Sequence, residues 1–212
     1  MIYEIITRII DIIVSIFAII IFSPVMLITA ILIMIDSKGP ILADVPERVG
    51  KNYQPFKFYK FRSMIVAAHT ILKEDPKYSK LYREYKKNSY KLKNDPRVTK
   101  VGKSIRKYSI DEFPQFFNIL KGDMSLVGPR AYYFDELEYY ISQNPEVEED
   151  IAIITSIKPG LTGVWQISGR SEISFDKRIK IDLEYAKMRS IKKNVVILFK
   201  TPFAVFSRRG AY

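Results

Sequence analysis

Apolar positions are distributed unevenly along this chain. Ile9 to Ile35 is almost unbroken hydrophobe, with Ser23 and Pro24 in its middle. As one straight helix these 27 residues would measure about 40 Å, more than the roughly 30 Å of a bilayer core. Proline removes a backbone hydrogen bond and clashes with the carbonyl four residues earlier, so a bend is predicted at Pro24. Each half would then be roughly 20 Å long, too short to cross alone. The Ser23 hydroxyl can return a hydrogen bond to a backbone group that the bend frees. Two outcomes remain open: a kinked span, or a hairpin-like helix that enters and leaves by one face. A cleaved leader fits poorly, because the run exceeds the usual h-region and no small-residue cleavage site follows it. A buried core helix would ordinarily be shorter. Arg8 and Lys38 give the two flanks similar positive charge, which sets no orientation and favours re-entry. Arg8 and Asp11 stand one turn apart and can meet on one helix face near the headgroups.

Beyond residue 39 the pattern becomes that of a water-soluble domain. Pro40, Pro46, Gly50 and Pro55 break residues 41–58 into short extended pieces and turns. Lys57-Phe58-Tyr59-Lys60-Phe61-Arg62 alternates basic and aromatic, which predicts a strand with one basic face. Residues 66–93 are polar and predict one or two exposed helices. Further helices are predicted at 101–107, 110–120, 132–142, 146–154 and 174–189. Glycine-bearing loops lie between them. Val195 to Phe206 is mostly apolar but holds Lys200 and Pro202, with Arg208 and Arg209 following, so it is too interrupted to span. It is expected to lie at a membrane interface, with packing against the core as the alternative. The elements together predict an α+β, mainly helical fold: a re-entrant membrane helix-break-helix over 1–39, and a domain over 40–212 with short strands and interfacial amphipathic helices.

Charge sharpens this. The chain carries +11, and residues 1–39 carry −1, so the remainder carries +12. A basic body beside a membrane segment suits anionic lipid or a phosphorylated substrate. No RRM, KH, zinc or helix-turn-helix pattern is visible, and nucleic acid is not expected as a partner. The absence of cysteine excludes disulfides, thiolate metal sites and cysteine nucleophiles. The single histidine, His69, adjoins a polar helical stretch and reads as solvated.

Candidate chemistry concentrates at Ser109-Ile110-Asp111-Glu112. Ser109 with Glu112 three residues later forms a capping-box pattern, so Glu112 can be a helix cap and nothing more. Asp111 would sit in a first helical turn, where the dipole and free N–H groups hold a carboxylate ionised. Neighbouring helical residues point about 100° apart, so the two acids would serve different tasks, one as nucleophile, the other as metal ligand or base. Arg106 precedes them, and Gly128-Pro129-Arg130 offers a planar fork suited to phosphate. A second glycine-punctuated loop runs from Lys158 through Trp165 to Gly169-Arg170. Together these loops and carboxylates suggest a phosphate pocket with Mg2+, a cation that commonly takes one or two carboxylates plus substrate phosphates.

Several motifs occur in one order: Arg8-x-x-Asp11, Ser23-Pro24, Lys60-Phe61-Arg62-Ser63-Met64, Asp95-Pro96-Arg97-Val98-Thr99, Ser109-Ile110-Asp111-Glu112, Gly122 through Arg130, and Lys158-Pro159-Gly160-Leu161-Thr162-Gly163. As a set, over nearly the whole length, they resemble the bacterial sugar transferases of the monotopic phosphoglycosyl transferase family. The resemblance implies transfer of a sugar-1-phosphate from a UDP-sugar to undecaprenyl phosphate, with release of UMP. It implies Asp111 as nucleophile on the β-phosphorus and Glu112 as a Mg2+ ligand or helper of the lipid phosphate. Lys60, Arg62, Arg106, Pro129, Arg130 and Arg170 would bind substrate, and Arg8, Asp11, Ser23 and Pro24 would belong to the re-entrant membrane helix. It places the protein at the bacterial inner membrane with its catalytic domain towards the cytoplasm, and allows a homodimer. Ala131 departs from the family's Pro-Arg-Pro. The 66–93 stretch and the C-terminal ending resemble enzymes that use UDP-galactose or UDP-glucose, while N-acetylated or diamino sugars stay open. A non-catalytic adaptor that binds anionic lipid would explain the charge and the apolar run, but gives no reason for Asp111-Glu112 beside Arg130.

Overall fold

The structure, a computed structural model, describes residues 2–87, 92, 94–169 and 173–207. Helix α1 runs Ile2–Asp36 and is long and apolar enough to cross a membrane by length and composition. Its pattern is inverted relative to a soluble helix. The buried stripe is small and polar (Asp11, Ser15, Ala18 and Thr29, with Ile33), while isoleucines, leucines and phenylalanines on the other faces are exposed. The break expected at Ser23-Pro24 is not an interruption, because helical bonding continues through Pro24. Proline cannot donate to the Ile20 carbonyl four residues earlier. The Ser23 hydroxyl donates to that oxygen instead, at 2.8 Å.

α1 touches the domain along its whole length. Near its start, the Asn194 side chain donates to the Tyr3 hydroxyl at 3.1 Å, and Arg189 pairs with Glu4 at 2.8 Å. Arg8 donates to the Ile119 and Leu120 carbonyls at 2.5 and 2.7 Å. Asp11 accepts from Leu126 N at 2.9 Å and the Ser125 hydroxyl at 3.1 Å. Arg8 and Asp11, expected to pair with each other, are therefore docking groups: each satisfies backbone polar groups of the domain. Further along, the Phe22 ring lies 4.7 Å from that of Phe113, Ile33 is buried with Phe61 and Ile105, and Asp36 accepts from Val101 N at 3.3 Å.

The rest of the chain is mainly helical with few, short strands. β1 (Arg48–Val49) and β2 (Pro55–Phe56) form a minimal antiparallel pair. α2 (Ala68–Glu74) and α3 (Ser79–Lys87) follow, then α4 (Lys100–Lys107) and α5 (Gln115–Lys121). β3 (Ser125–Val127) leads to α6 (Phe134–Gln143) and α7 (Glu148–Thr155). β4 (Gly160–Thr162), α8 (Val164–Ser168), α9 (Phe175–Met188) and α10 (Ile191–Phe206) complete the order. β3 and β4 pair in parallel, Ser125 opposite Gly160 and Val127 opposite Thr162. Only glycine fits at the start of β4: a Cβ on Gly160 would lie 2.0 Å from Gly128 N. The main core gathers Ala18, Phe116, Ile119, Met124, Leu126, Tyr185 and Ile197 around this pair. A second cluster joins Leu137, Ile151, Ile154 and Ile179 from α6, α7 and α9.

Two expectations change. Residues 57–62 are not a ladder strand. The segment runs beside residues 41–43 through an isolated Leu42–Phe61 bridge, with Ala43 N donating to the Lys60 carbonyl and Arg62 N to the Ile41 carbonyl, both at 2.8 Å. Phe58, Lys60 and Arg62 line one cleft, so an aromatic shares the face expected to be basic, while Phe61 is buried in the core. The helix expected over 110–120 is a 3-10 turn at Ile110–Glu112 followed by α5, because Pro114 supplies no N–H at the junction. The 195–206 segment belongs to α10, whose Asn194 and Ile197 pack one side against the core. Its Phe199, Phe203 and Phe206 are more than 70% exposed.

Candidate active site

A cleft of about 340 Å³ lies between the 58–62 segment, the Ile110–Glu112 turn, the residues after β3, and β4 with α8. Asp111 is anchored in its wall by its own backbone, whose carbonyl accepts from Phe61 N at 2.9 Å. The turn begins at Ser109, a left-handed residue with φ of 56°. Such a conformation in a non-glycine costs about 1 kcal/mol or more, and strain of this kind clusters at functional sites. Ser109 makes no side-chain cap bond, so the capping-box reading of Glu112 is not realised. Instead Lys60 Nζ lies 2.8 Å from Asp111 Oδ2 and 3.8 Å from Glu112 Oε1. The Asp111 side chain is only 4% exposed, whereas that of Glu112 is 42% exposed.

Arg106, Arg130, Trp165 and Gln166 share this cleft with Lys60 and the two acids. Arg62 also lines it, yet its guanidinium is engaged elsewhere. Nε donates to the Pro40 carbonyl at 2.6 Å, Nη1 to the Ser37 hydroxyl at 2.5 Å, and Nη2 to the Ser37 carbonyl at 2.8 Å. Pro129 is buried, its carbonyl accepting from Gly160 N at 2.8 Å. Arg170 lies outside the described residues, as do Arg208 and Arg209. Ala131, the departure from Pro-Arg-Pro, is buried and accepts from Arg48 Nη1 at 3.1 Å.

Behind the cleft lies a cluster that the sequence pattern did not reveal. Arg178 and Asp182 stand one turn apart on the buried face of α9, both essentially inaccessible. Asp182 Oδ2 accepts from Arg130 N at 3.0 Å and from the Tyr132 hydroxyl at 2.7 Å. The Arg130 and Arg178 guanidinium carbons lie 5.4 and 4.9 Å from the Trp165 ring centroid. Burial pushes the Asp182 carboxyl up to about 6, against the two hydrogen bonds it accepts. Burial, with Arg130 nearby, pushes Arg178 down to about 10. Arg178 Nε and Nη1 have no hydrogen-bond partner among the described residues. Arg48 was also missed; it stacks 3.1 Å over the Tyr133 ring in the cleft wall. His69, read as solvated, is half-buried at the cleft edge.

The carboxylate pair fits Mg2+. Lys60 already brings a positive charge to both acids, and Mg2+ commonly takes one or two carboxylates, with waters and substrate phosphates completing its shell. Among the described residues no group of three or more His, Cys, Asp or Glu could form an all-protein cage.

Residues 2–208 match the bacterial sugar transferase family. The chain is 43% identical over 205 residues to the undecaprenyl-phosphate galactose phosphotransferase of Salmonella typhimurium, covering 97% of this chain and 41% of that protein. It is 40% identical over 202 residues to the exopolysaccharide production protein ExoY of Sinorhizobium fredii, covering 95% of this chain and 86% of that relative. It is 39% identical over 210 residues to the UDP-glucose:undecaprenyl-phosphate glucose-1-phosphate transferase of Klebsiella pneumoniae, covering 97% and 41%. The chain thus spans about two fifths of the length of several curated relatives it matches, and most of the length of ExoY.

Proposed function

The chain belongs to the bacterial sugar transferase family, and we propose from this premise that it moves a sugar-1-phosphate from a UDP-sugar to undecaprenyl phosphate, releasing UMP. The observation that carries the reading is Asp111, a nearly buried carboxylate fixed by its backbone on a strained turn, in a cleft with Lys60, Arg106 and Arg130. An Asp111 oxygen attacks the β-phosphorus. The bond from that phosphorus to the bridging oxygen breaks, and its electron pair leaves with UMP. An oxygen of the lipid phosphate then attacks the aspartyl phosphosugar and restores the carboxylate. Lys60, Arg106 and Arg130 stabilise the charge on the transferring group, which is most of what phosphoryl transfer asks of a protein. Asp111 and Glu112 would hold Mg2+, which when bound neutralises phosphate charge. Arg62 has the separate task of clamping the connection after α1. Galactose or glucose is the sugar we favour, in keeping with the names of the relatives.

The same reading extends to the membrane. We propose that α1 penetrates one leaflet and leaves by the face it entered, so that its N-terminus and the domain both face the cytoplasm. Contacts with the domain at Glu4, Arg8, Phe22 and Asp36 support this, because a helix docked at both ends cannot place a bilayer between them. The exposed phenylalanines of α10 would enter the same interface. A cysteine introduced at position 3 should label from the cytoplasmic side; labelling only from the periplasm overturns the topology.

The chemistry is tested by intact mass. With Mg2+ and a UDP-sugar but no lipid acceptor, the wild type should gain one sugar-phosphate and Asp111→Asn should not. An adduct that survives in Asp111→Asn means another nucleophile. If none forms on wild type while UMP is still released with acceptor present, transfer is direct.

A further inference from the structure

The cleft that holds Asp111 also has an apolar edge. Pro40, Ile65 and Val66 line it and are exposed, so they belong to its rim. The chemistry proposed above uses none of them. Ile65 N donates to the Arg97 carbonyl at 2.9 Å, and Ala67, the residue after Val66, is left-handed with φ of 55°. A non-glycine residue in that conformation is strained, and such strain collects at functional sites. Ala67 caps the start of α2, so Ile65 and Val66 stay outside both the helix and the core.

This edge lies at the end of α1. A Cβ on Gly39 would stand 2.5 Å from Val66 Cγ2, so Val66 rests on the chain three residues beyond the helix. Arg62 ties the same stretch down through Ser37 and Pro40. Leu32, Met34 and Ile35 on the last turns of α1 are exposed, as is Leu42 beyond it. The turn that carries Asp111 meets this end too, because Ile110 packs against the cluster of Ile33, Phe61 and Ile105. One cleft therefore joins a nucleophile and its cations to an apolar rim beside the membrane helix.

The two substrates differ in what such a rim can do for them. A UDP-sugar is polar along its whole length. A polyprenyl phosphate carries its charge at one end of a hydrocarbon chain. To react, that phosphate must reach the phosphorus held at Asp111 while most of the chain stays in lipid. The chain has to leave the cleft on the side where α1 presents apolar surface.

We propose that the Ile65-Val66 rim is the acceptor's entrance: polyprenyl phosphate enters head first, and its first isoprene units rest on these two side chains. The inference rests on the function proposed above and adds to it a binding site for the acceptor chain.

The test uses the full chain in detergent micelles of fixed composition with Mg2+. A polyprenyl phosphate carrying a diazirine on the isoprene unit next to the phosphate is photolysed with the protein, and the labelled peptides are identified by mass. Label is expected within residues 39–45 or 64–67, displaced by undecaprenyl phosphate and not by phosphatidylglycerol. Label elsewhere overturns the entrance. Equal displacement by phosphatidylglycerol makes the rim a surface for bulk lipid and also overturns it. Kinetics give a second measurement. Ile65→Ser with Val66→Ser should raise the KM for undecaprenyl phosphate about tenfold and hold the donor KM within about twofold, whereas Ile65→Val with Val66→Ile should change neither by more than about twofold. An unchanged acceptor KM, or a parallel rise in both, overturns the proposal. The function is read separately: UMP release by a wild type labelled elsewhere leaves the transferase and removes the entrance, while label at the rim without UMP release does the reverse.

Discussion

The front and the back of the cleft use the same residue types in opposite ways. At the front, Asp111 meets Lys60 directly at 2.8 Å, on a strained turn with Glu112 partly open to solvent. At the back, Asp182 has guanidinium groups nearby but takes its hydrogen bonds from a backbone N–H and a phenol. The front pair faces open cleft, where an arriving phosphate can compete for Lys60. The back carboxylate is enclosed, and fixes the backbone from which Arg130 reaches forward. Similar composition thus yields one arrangement that can exchange partners and one that cannot.

Substitutions separate the two. Asp111→Asn should lower kcat for UMP release by on the order of 10⁴-fold or more while leaving the melting temperature near that of wild type. A stability loss instead would place Asp111 among the structural charges. Asp182→Ala leaves the Arg130 N–H and the Tyr132 hydroxyl without an acceptor, at about 1–3 kcal/mol for each group, readable in urea unfolding. Its kinetic signature should be a donor KM raised more than kcat is lowered, since it acts through the placement of Arg130. Arg62 tests the boundary, because it lines the front yet is bonded like a back residue. Arg62→Lys should lower stability by about 1 kcal/mol, from lost bonds to Ser37 and Pro40, and change donor KM little. A larger change in KM would return Arg62 to the phosphate site.

The smallest effect is one of pH. Burial raises the Asp182 carboxyl to about 6 in the native state, above its unfolded value. The folded protein therefore binds that proton more tightly, and this contribution to stability is complete below the unfolded value and lost as pH rises through about 6. Wild type should gain melting temperature relative to Asp182→Asn on going from pH 7 to pH 5. A constant difference would mean that Asp182 stays charged throughout.

The front of the site was legible in the sequence; the back was not. Lys60, Arg106, Asp111, Glu112 and Arg130 sit within motifs whose glycines, prolines and spacing stand out locally, and they do share one cleft. Arg62 was legible as a cleft residue but not in its bonds, because its partners at residues 37–40 are set by where α1 ends. Arg178 and Asp182 look like the solvated face of an exposed helix, the usual meaning of charges one turn apart. The available sign was Tyr185, continuing the same stripe at helical spacing and equally buried. β3 and β4 escaped because each has three residues and lies where glycine and proline suggest only turns. The long apolar helix was plain, but its polar docking stripe was not: Ser15, Ala18 and Thr29 are too small and scattered to outweigh the isoleucines between them.

The docking of α1 also sets an order of events during synthesis. Arg8 is made 111 residues before its first carbonyl partner at Ile119, an interval of roughly 6–22 s at 5–20 residues per second. Throughout that time the apolar faces of α1 are complete and its polar stripe has nothing to bind. The domain closes over the Arg8 and Asp11 end of the helix only when α5 and β3 emerge. A slower ribosome would lengthen the wait without changing the sequence of steps.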